Sequence, residues 1–317
     1  MTLNDLKTQV RKNKPHDFDE VWEKWLNETK DIPNSIEVVK TEETEFGCII
    51  DFYFNSINDV KVFTRLYRNE LSIENNRPLI VLFHGSGSNC YSDHNIWHSM
   101  NWVNQGYSVV MMDARNQGGN TIDINDYEFN DRHYLCNGCL DKETHYDKRL
   151  YLDACKLLYV TRDSSLELFK DYANKPVVAA GPSQGGELTL VVSSLTDIPA
   201  LALSDIPSGC ALIERIENRN GKYTALSEII DEYPEYKDKI YEACGYFDVI
   251  NMSHKINCPV LASIGTVDDV CPAEFFYEAY LNIPNPKEIF VYEGYGHGGF
   301  EELHLPIKYD FVARNIK

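Results

Sequence analysis

The residues most able to do chemistry sit in one turn, Gly181-Pro182-Ser183-Gln184-Gly185-Gly186. The apolar run Pro176-Val177-Val178-Ala179-Ala180 leads straight into it, and Glu187-Leu188-Thr189-Leu190-Val191 continues it with helix-compatible residues. A G-x-S-x-G pentapeptide between a strand and a helix is a nucleophile elbow, a sharp turn that lifts one hydroxyl above a sheet. Glycine at 181 and 185 removes side chains that would collide there. Pro182 fixes its own φ and biases Gly181 toward extended backbone. The helix that follows directs its N-terminal amides at developing negative charge. An ordinary glycine-rich turn would need neither the strand before it nor the helix after it.

A serine of ordinary pKa is a weak nucleophile, so a histidine must take its proton and a carboxylate must hold that histidine in the right tautomer. In α/β-hydrolases the chain order is Ser, then Asp or Glu, then His. Two later segments supply these partners just past predicted strands: Ile264-Gly265-Thr266-Val267-Asp268-Asp269-Val270 and Tyr292-Glu293-Gly294-Tyr295-Gly296-His297-Gly298-Gly299. His297, flanked by glycines, is the predicted base; His304 falls in what reads as the final helix. Spacing leaves Asp268 and Asp269 both open as the acid, with the other free to cap the helix starting near Pro272. The oxyanion hole needs the amide of the residue after the nucleophile, Gln184, and one from the loop after an earlier strand. That loop is Phe83-His84-Gly85-Ser86-Gly87, so the Ser86 amide is the predicted second donor and His84 a brace. A dinucleotide or P-loop reading fails, because the third glycine and the Walker lysine are missing.

These residues need a sheet to hold them. Short apolar runs recur at 78–83, 107–112, 176–180, 200–203, 259–264 and 288–292, separated by helical-length segments. Continuous apolar strands alternating with helices predict an α/β fold, a mostly parallel sheet flanked by helices. Phe18, Trp22, Trp25 and Leu26 recur at helical spacing after Pro15 and predict an amphipathic helix packed on the main body. The interval 207–247, rich in Glu, Asp, Lys and Tyr, breaks the rhythm and reads as a helical insertion. The expected organisation is one hydrolase domain over 1–317, with an N-terminal helical extension over 1–40 and an insertion over about 207–250.

Composition narrows the partners. Among 317 residues, 30 Lys and Arg face 49 Asp and Glu, a formal charge of −19. Such a chain repels phosphate backbones and anionic lipid, so no nucleic-acid or membrane partner is expected. No secretory h-region or membrane-length apolar stretch is visible, and a cytoplasmic location is expected. Nine scattered cysteines fit a reducing compartment and read mostly as small buried hydrophobes. Cys136-Asn137-Gly138-Cys139 lacks the second half of a zinc site, so no metal is expected.

At this point the chain resembles the carbohydrate esterase family 7 acetyl xylan esterases and cephalosporin C deacetylases. The resemblance rests on Pro15-His16-Asp17-Phe18-Asp19-Glu20-Val21-Trp22, on the elbow, and on Leu140-Asp141-Lys142-Glu143-Thr144 with Tyr151-Leu152-Asp153-Ala154. Gly245-Tyr246-Phe247-Asp248-Val249 and Ile264-Gly265-Thr266-Val267-Asp268 extend it, and the last aligns Asp268 with the family's triad acid. Departures occur where the family's RGQ reads Arg115-Asn116-Gln117, where HGYN reads His84-Gly85-Ser86-Gly87, and where HE reads His297-Gly298. The resemblance implies structural or pocket roles for Arg115 and Gln117 and a homo-oligomer, a hexamer in that family. It also implies a serine esterase that needs no cofactor and deacetylates small acetylated carbohydrates such as xylo-oligosaccharides, and cephalosporin C. Two other readings share the motifs: a peptidase or longer-acyl esterase with the same triad, and a non-catalytic binding protein on this fold.

Overall fold

The computed structural model describes residues 6–284 and 286–316. Helix α1 (Phe18–Asp31) precedes three antiparallel strands, β1 (Ile36–Thr44), β2 (Gly47–Asn55) and β3 (Lys61–Asn69). A short α2 (Glu70–Glu74) leads to β4 (Leu79–Phe83), α3 (Asp93–Asn104), β5 (Ser108–Met112), α4 (Tyr146–Thr161), β6 (Val177–Pro182), α5 (Gln184–Leu195) and β7 (Pro199–Asp205). Helices α6 (Leu212–Glu217), α7 (Thr224–Glu232) and α8 (Lys237–Cys244) come before β8 (Val260–Gly265), α9 (Ala273–Asn282), β9 (Lys287–Tyr292) and α10 (Glu301–Asn315).

Among the described residues the strands form one nine-stranded sheet in the order β1-β2-β3-β5-β4-β6-β7-β8-β9. Strands β4 to β9 run parallel, and β3 joins them by an antiparallel pairing with β5. Each predicted apolar run lies on one of the parallel strands. The β1 to β3 meander has no counterpart among the predicted strands, and residues 36–40, expected in a helical extension, belong to β1. For β1 the residues explain this: Glu, Lys and Thr dominate, and exposed charge suits a sheet edge that must not pair with a neighbour.

Strands β4 to β8 read as mostly apolar runs because both faces are covered, whereas β9 at the sheet edge is half-buried along its length. In β4, Leu79, Val81 and Phe83 enter one core while Ile80 and Leu82 enter the other. The same alternation sends Val110 and Met112 of β5 one way and Val109 and Met111 the other. Trp102 and Val103 of α3 and Phe311 and Val312 of α10 close the second core. On the first side, α1 buries Phe18, Trp22 and Trp25. The Trp22 indole N–H donates to the Tyr246 carbonyl at 2.9 Å, and Trp25 stacks on Phe247 with centroids 6.1 Å apart. Burying Phe18 alone is worth about 1.5–3 kcal/mol, so α1 is welded to the body at the far end of the insertion.

No helix among the described residues is long and apolar enough to cross a membrane. The nine cysteines are free thiols, and burial pushes Cys136 and Cys139 up to about 12, so both stay protonated.

Candidate active site

Ser183 occupies the junction of β6 and α5 with φ 56° and ψ −117°, a left-handed conformation a serine adopts only under constraint. The constraint is visible in the backbone: Ser183 N–H donates to the Asp205 carbonyl at 2.9 Å, and its own carbonyl accepts from Ser208 and Glu187. The two glycines have the predicted purpose. A Cβ on Gly181 would lie 2.5 Å from the Phe83 carbonyl, and one on Gly185 would overlap the same oxygen. The elbow is thus pressed against the end of β4, which brings the loop after β4 to the serine.

His297 Nε2 lies 3.0 Å from Ser183 Oγ, and its Nδ1 lies 2.8 Å from Asp268 Oδ2. The other Asp268 oxygen accepts the Val270 and Cys271 amides at 2.9 and 2.8 Å, which anchors the carboxylate ahead of α9. Asp269 is exposed, and His304 is buried in α10 against Tyr292 and Asp205, away from the serine's partners. Burial disfavours the His297 imidazolium, but its hydrogen bonds with Asp268 and the Cys271 thiol outweigh this and raise its pKa. An imidazole so held can take a hydroxyl proton through Nε2 while Asp268 keeps the proton on Nδ1.

Ser86 lies on the wall of the same cavity as Ser183 and His297, a space of about 440 Å³. Its hydroxyl bonds to the Tyr134 hydroxyl. His84 is a brace: Nδ1–H donates to the Gly85 carbonyl at 2.7 Å and Nε2 accepts the Ala114 amide at 2.9 Å, so the ring is neutral, and burial lowers its pKa. Gln117 is the clasp between the two segments that bear the predicted oxyanion amides. Its Oε1 accepts Gly87 N–H at 2.8 Å, and its Nε2 donates to the Gln184 side chain at 2.9 Å and to Tyr146 at 2.8 Å. Arg115 is a buried support with bonds to Asp153, Asp123 and the Ile57 carbonyl. Asn116 between them has φ 54°, a region open to glycine and, among other residues, most readily to asparagine, so Asn can stand where the family has glycine. Its side chain adds bonds to both backbone groups of Asp123, at 3.0 and 3.3 Å.

Two residues of the site have no counterpart among the predictions. Cys271 was expected to be a passive hydrophobe, but its sulfur is 4.0 Å from Ser183 Oγ. Burial opposes its ionisation, yet the Arg215 guanidinium and then His297 lower its pKa. Its position three residues past Asp268 in the same strand-end loop was the available signal. Arg215, on α6 of the insertion, lines the cavity; nothing local in its sequence marks it.

Known proteins share this arrangement of elements. The acetyl esterase Axe7A of Xylanibacter ruminicola is 24% identical over 285 residues, which is 87% of this chain and 62% of that protein. This chain therefore spans about three fifths of that relative's length. The crystal structure of acetyl xylan esterase 1 from Thermoanaerobacterium sp. JW/SL YS485 superposes with a TM-score of 0.86 at 26% identity, covering 100% of this chain and 99% of that one. The acetyl xylan esterase from Paenibacillus sp. R4 gives 0.85 at 24%, covering 99% and 98%, a likeness of fold. The sheet and its flanking helices are those of the α/β-hydrolase esterases. With residues 1–314 matching the acetyl xylan esterase (AXE1) family, this chain belongs to that family.

Proposed function

We propose that the chain is a serine esterase that removes O-acetyl groups from acetylated sugars and short xylo-oligosaccharides. The observation that carries this reading is His297 standing between Ser183 Oγ at 3.0 Å and Asp268 Oδ2 at 2.8 Å, with Ser183 and His297 lining one cavity. Ser183 Oγ attacks the acetyl carbonyl and its proton passes to His297 Nε2, with Asp268 holding Nδ1–H. The Gln184 and Ser86 amides receive the charge on the carbonyl oxygen, and the Gln117 clasp keeps those two segments in register. As the tetrahedral intermediate collapses, His297 returns the proton to the departing sugar oxygen and leaves an acetyl-serine. Water then repeats the sequence: it gives a proton to His297, breaks the acyl bond and releases acetate while Ser183 recovers its proton. No cofactor enters these steps.

The same reading covers cephalosporin C as a further acetyl ester, one hydrolase unit over 1–317, a homo-oligomer that is a hexamer by family resemblance, and a cytoplasmic setting. The free thiols support a reducing compartment. Acetate release from a chromogenic acetate and from acetylated xylo-oligosaccharide tests the proposal. Ser183→Ala is expected to lower kcat on the order of 10⁶-fold, and turnover equal to wild type would refute it. Light scattering on the purified protein tests the hexamer.

A further inference from the structure

Three arginine side chains are fully buried, at 2% exposure or less: Arg115, Arg149 and Arg215. Arg115 is paired with Asp153 and Asp123, and Arg149 with Asp123. Arg215 meets no carboxylate at ion-pair distance among the described residues. Nη1 donates to Ser208 Oγ at 3.1 Å, Nη2 donates to the Val270 carbonyl at 2.6 Å, and Nη2 lies 3.5 Å from Cys271 Sγ. The guanidinium sits over the Tyr223 ring at 4.5 Å, and its Nε–H has no partner among the described residues. The buried carboxylate nearby, Glu187, is already taken by Lys222 and Tyr151. The Cys271 thiol, whose pKa this guanidinium lowers, is the acid in contact with it; a cation taken out of water with no carboxylate beside it carries a desolvation cost that a bound carboxylate would offset.

This cation is in the catalytic cavity. Arg215 lines the same space as Ser183, and Cys271 Sγ bridges the two, 3.5 Å from Nη2 and 4.0 Å from Ser183 Oγ. Glu301, the carboxylate on that wall, is engaged by the Gly299 amide at 2.7 Å. The cavity is larger than an acetyl group requires.

We propose that Arg215 is a carboxylate-binding group of the catalytic pocket, and that the acetyl ester this enzyme prefers carries a carboxylate close to the scissile bond, as an O-acetylated uronic acid does. The inference rests on the esterase reading above. Released acetate offers the same chemistry, a small carboxylate against a guanidinium, and the test separates the two.

The substrates are a mono-O-acetylated uronic acid methyl glycoside and its carboxylate methyl ester, which share the scissile bond and differ in charge. Wild type is expected to favour the acid about tenfold or more in kcat/KM, the range of a charge-assisted hydrogen bond. Arg215→Gln is expected to abolish that preference and Arg215→Lys to keep part of it. A merely structural arginine would slow both substrates alike and leave their ratio unchanged. In parallel, the melting temperature is measured in sodium acetate and in sodium chloride at equal ionic strength. This reads carboxylate binding without turnover, so an absence of esterase activity would be told apart from an absence of the subsite. Acetate protection lost in Arg215→Gln, with a substrate ratio near one, supports the subsite and assigns it to the product. A ratio near one with acetate protection absent, or unchanged in Arg215→Gln and Arg215→Lys, overturns the proposal.

Discussion

Arg115 and Arg215 are both buried cations, and their surroundings are opposite. Around Arg115 the bonds close on themselves. Nε and Nη2 meet the two oxygens of Asp153 at 2.5 and 2.7 Å, Nη1 meets Asp123 at 3.0 Å, and Arg149 shares Asp123 at 2.8 Å. Ser56 completes Asp153, and the Ile57 carbonyl takes the remaining Nη2 donor. Around Arg215 the partners are a hydroxyl, a carbonyl and the Cys271 sulfur, with no carboxylate at ion-pair distance and one N–H without a partner among the described residues. A closed polar network holds one structure in place, whereas a buried group with an unmet bond marks where something outside the chain can enter. The proposed catalytic side has this open character throughout: a strained serine, the histidine that would take its proton, and a thiol beside both.

That contrast can be broken in three ways. The largest expected effect is on rate. Asp268→Asn removes the negative charge that holds His297 in its working tautomer and should lower kcat on the order of 10⁴-fold, with denaturant unfolding close to wild type. An equal loss of stability would place Asp268 with the closed network instead. Next, Asp153→Ala leaves Arg115 and Arg149 to share Asp123 alone, one buried positive charge uncompensated, and should cost about 3–5 kcal/mol of unfolding free energy, read from denaturant melts. If the melt is unchanged, Arg115 is not held as the geometry implies.

The smallest effect concerns pH. His297 must be neutral to accept the serine proton, and its pKa is raised above the ordinary ~6.5 of imidazole. Activity is therefore lost as pH falls through this raised value. Cys271→Ala removes one of the raising influences, so the acid limb of kcat/KM should move to lower pH. A limb that stays put or moves up would separate the thiol from the histidine.

Much of the fold was legible because it is local. Five of the six apolar runs sit on parallel strands that are buried almost throughout, so they announce themselves as mostly apolar segments; the sixth, on the half-buried edge strand β9, is marked by Ile289, Phe290, Val291 and Tyr292. Strand β1 was not legible because it lies on the exposed edge, where Glu37, Lys40, Glu42 and Glu43 replace the apolar signal. The elbow was read from a handful of neighbouring residues, and the glycine contacts with Phe83 give that reading its physical cause. His297 was read from its glycine-rich strand end, and His84 as a brace from its loop. Asn116 looked like a lost motif until its φ of 54° showed that asparagine fits the same backbone.

The amino-acid sequence by itself determined the parallel sheet, the strand-turn-helix around Ser183 and the order of its partners, since each depends on residues within a few positions of one another. Which groups meet was decided only by tertiary structure. Asp268 reaches His297 across 29 residues, and His297 reaches Ser183 across 114. Local spacing could not choose between Asp268 and Asp269, one turned into the site and the other to solvent. Nor could it show that Arg215, Cys271 and Ser183 share a cavity, or that one buried arginine has its carboxylates and another does not. Charge compensation is a sum over neighbours in space, and those neighbours come from distant parts of the chain.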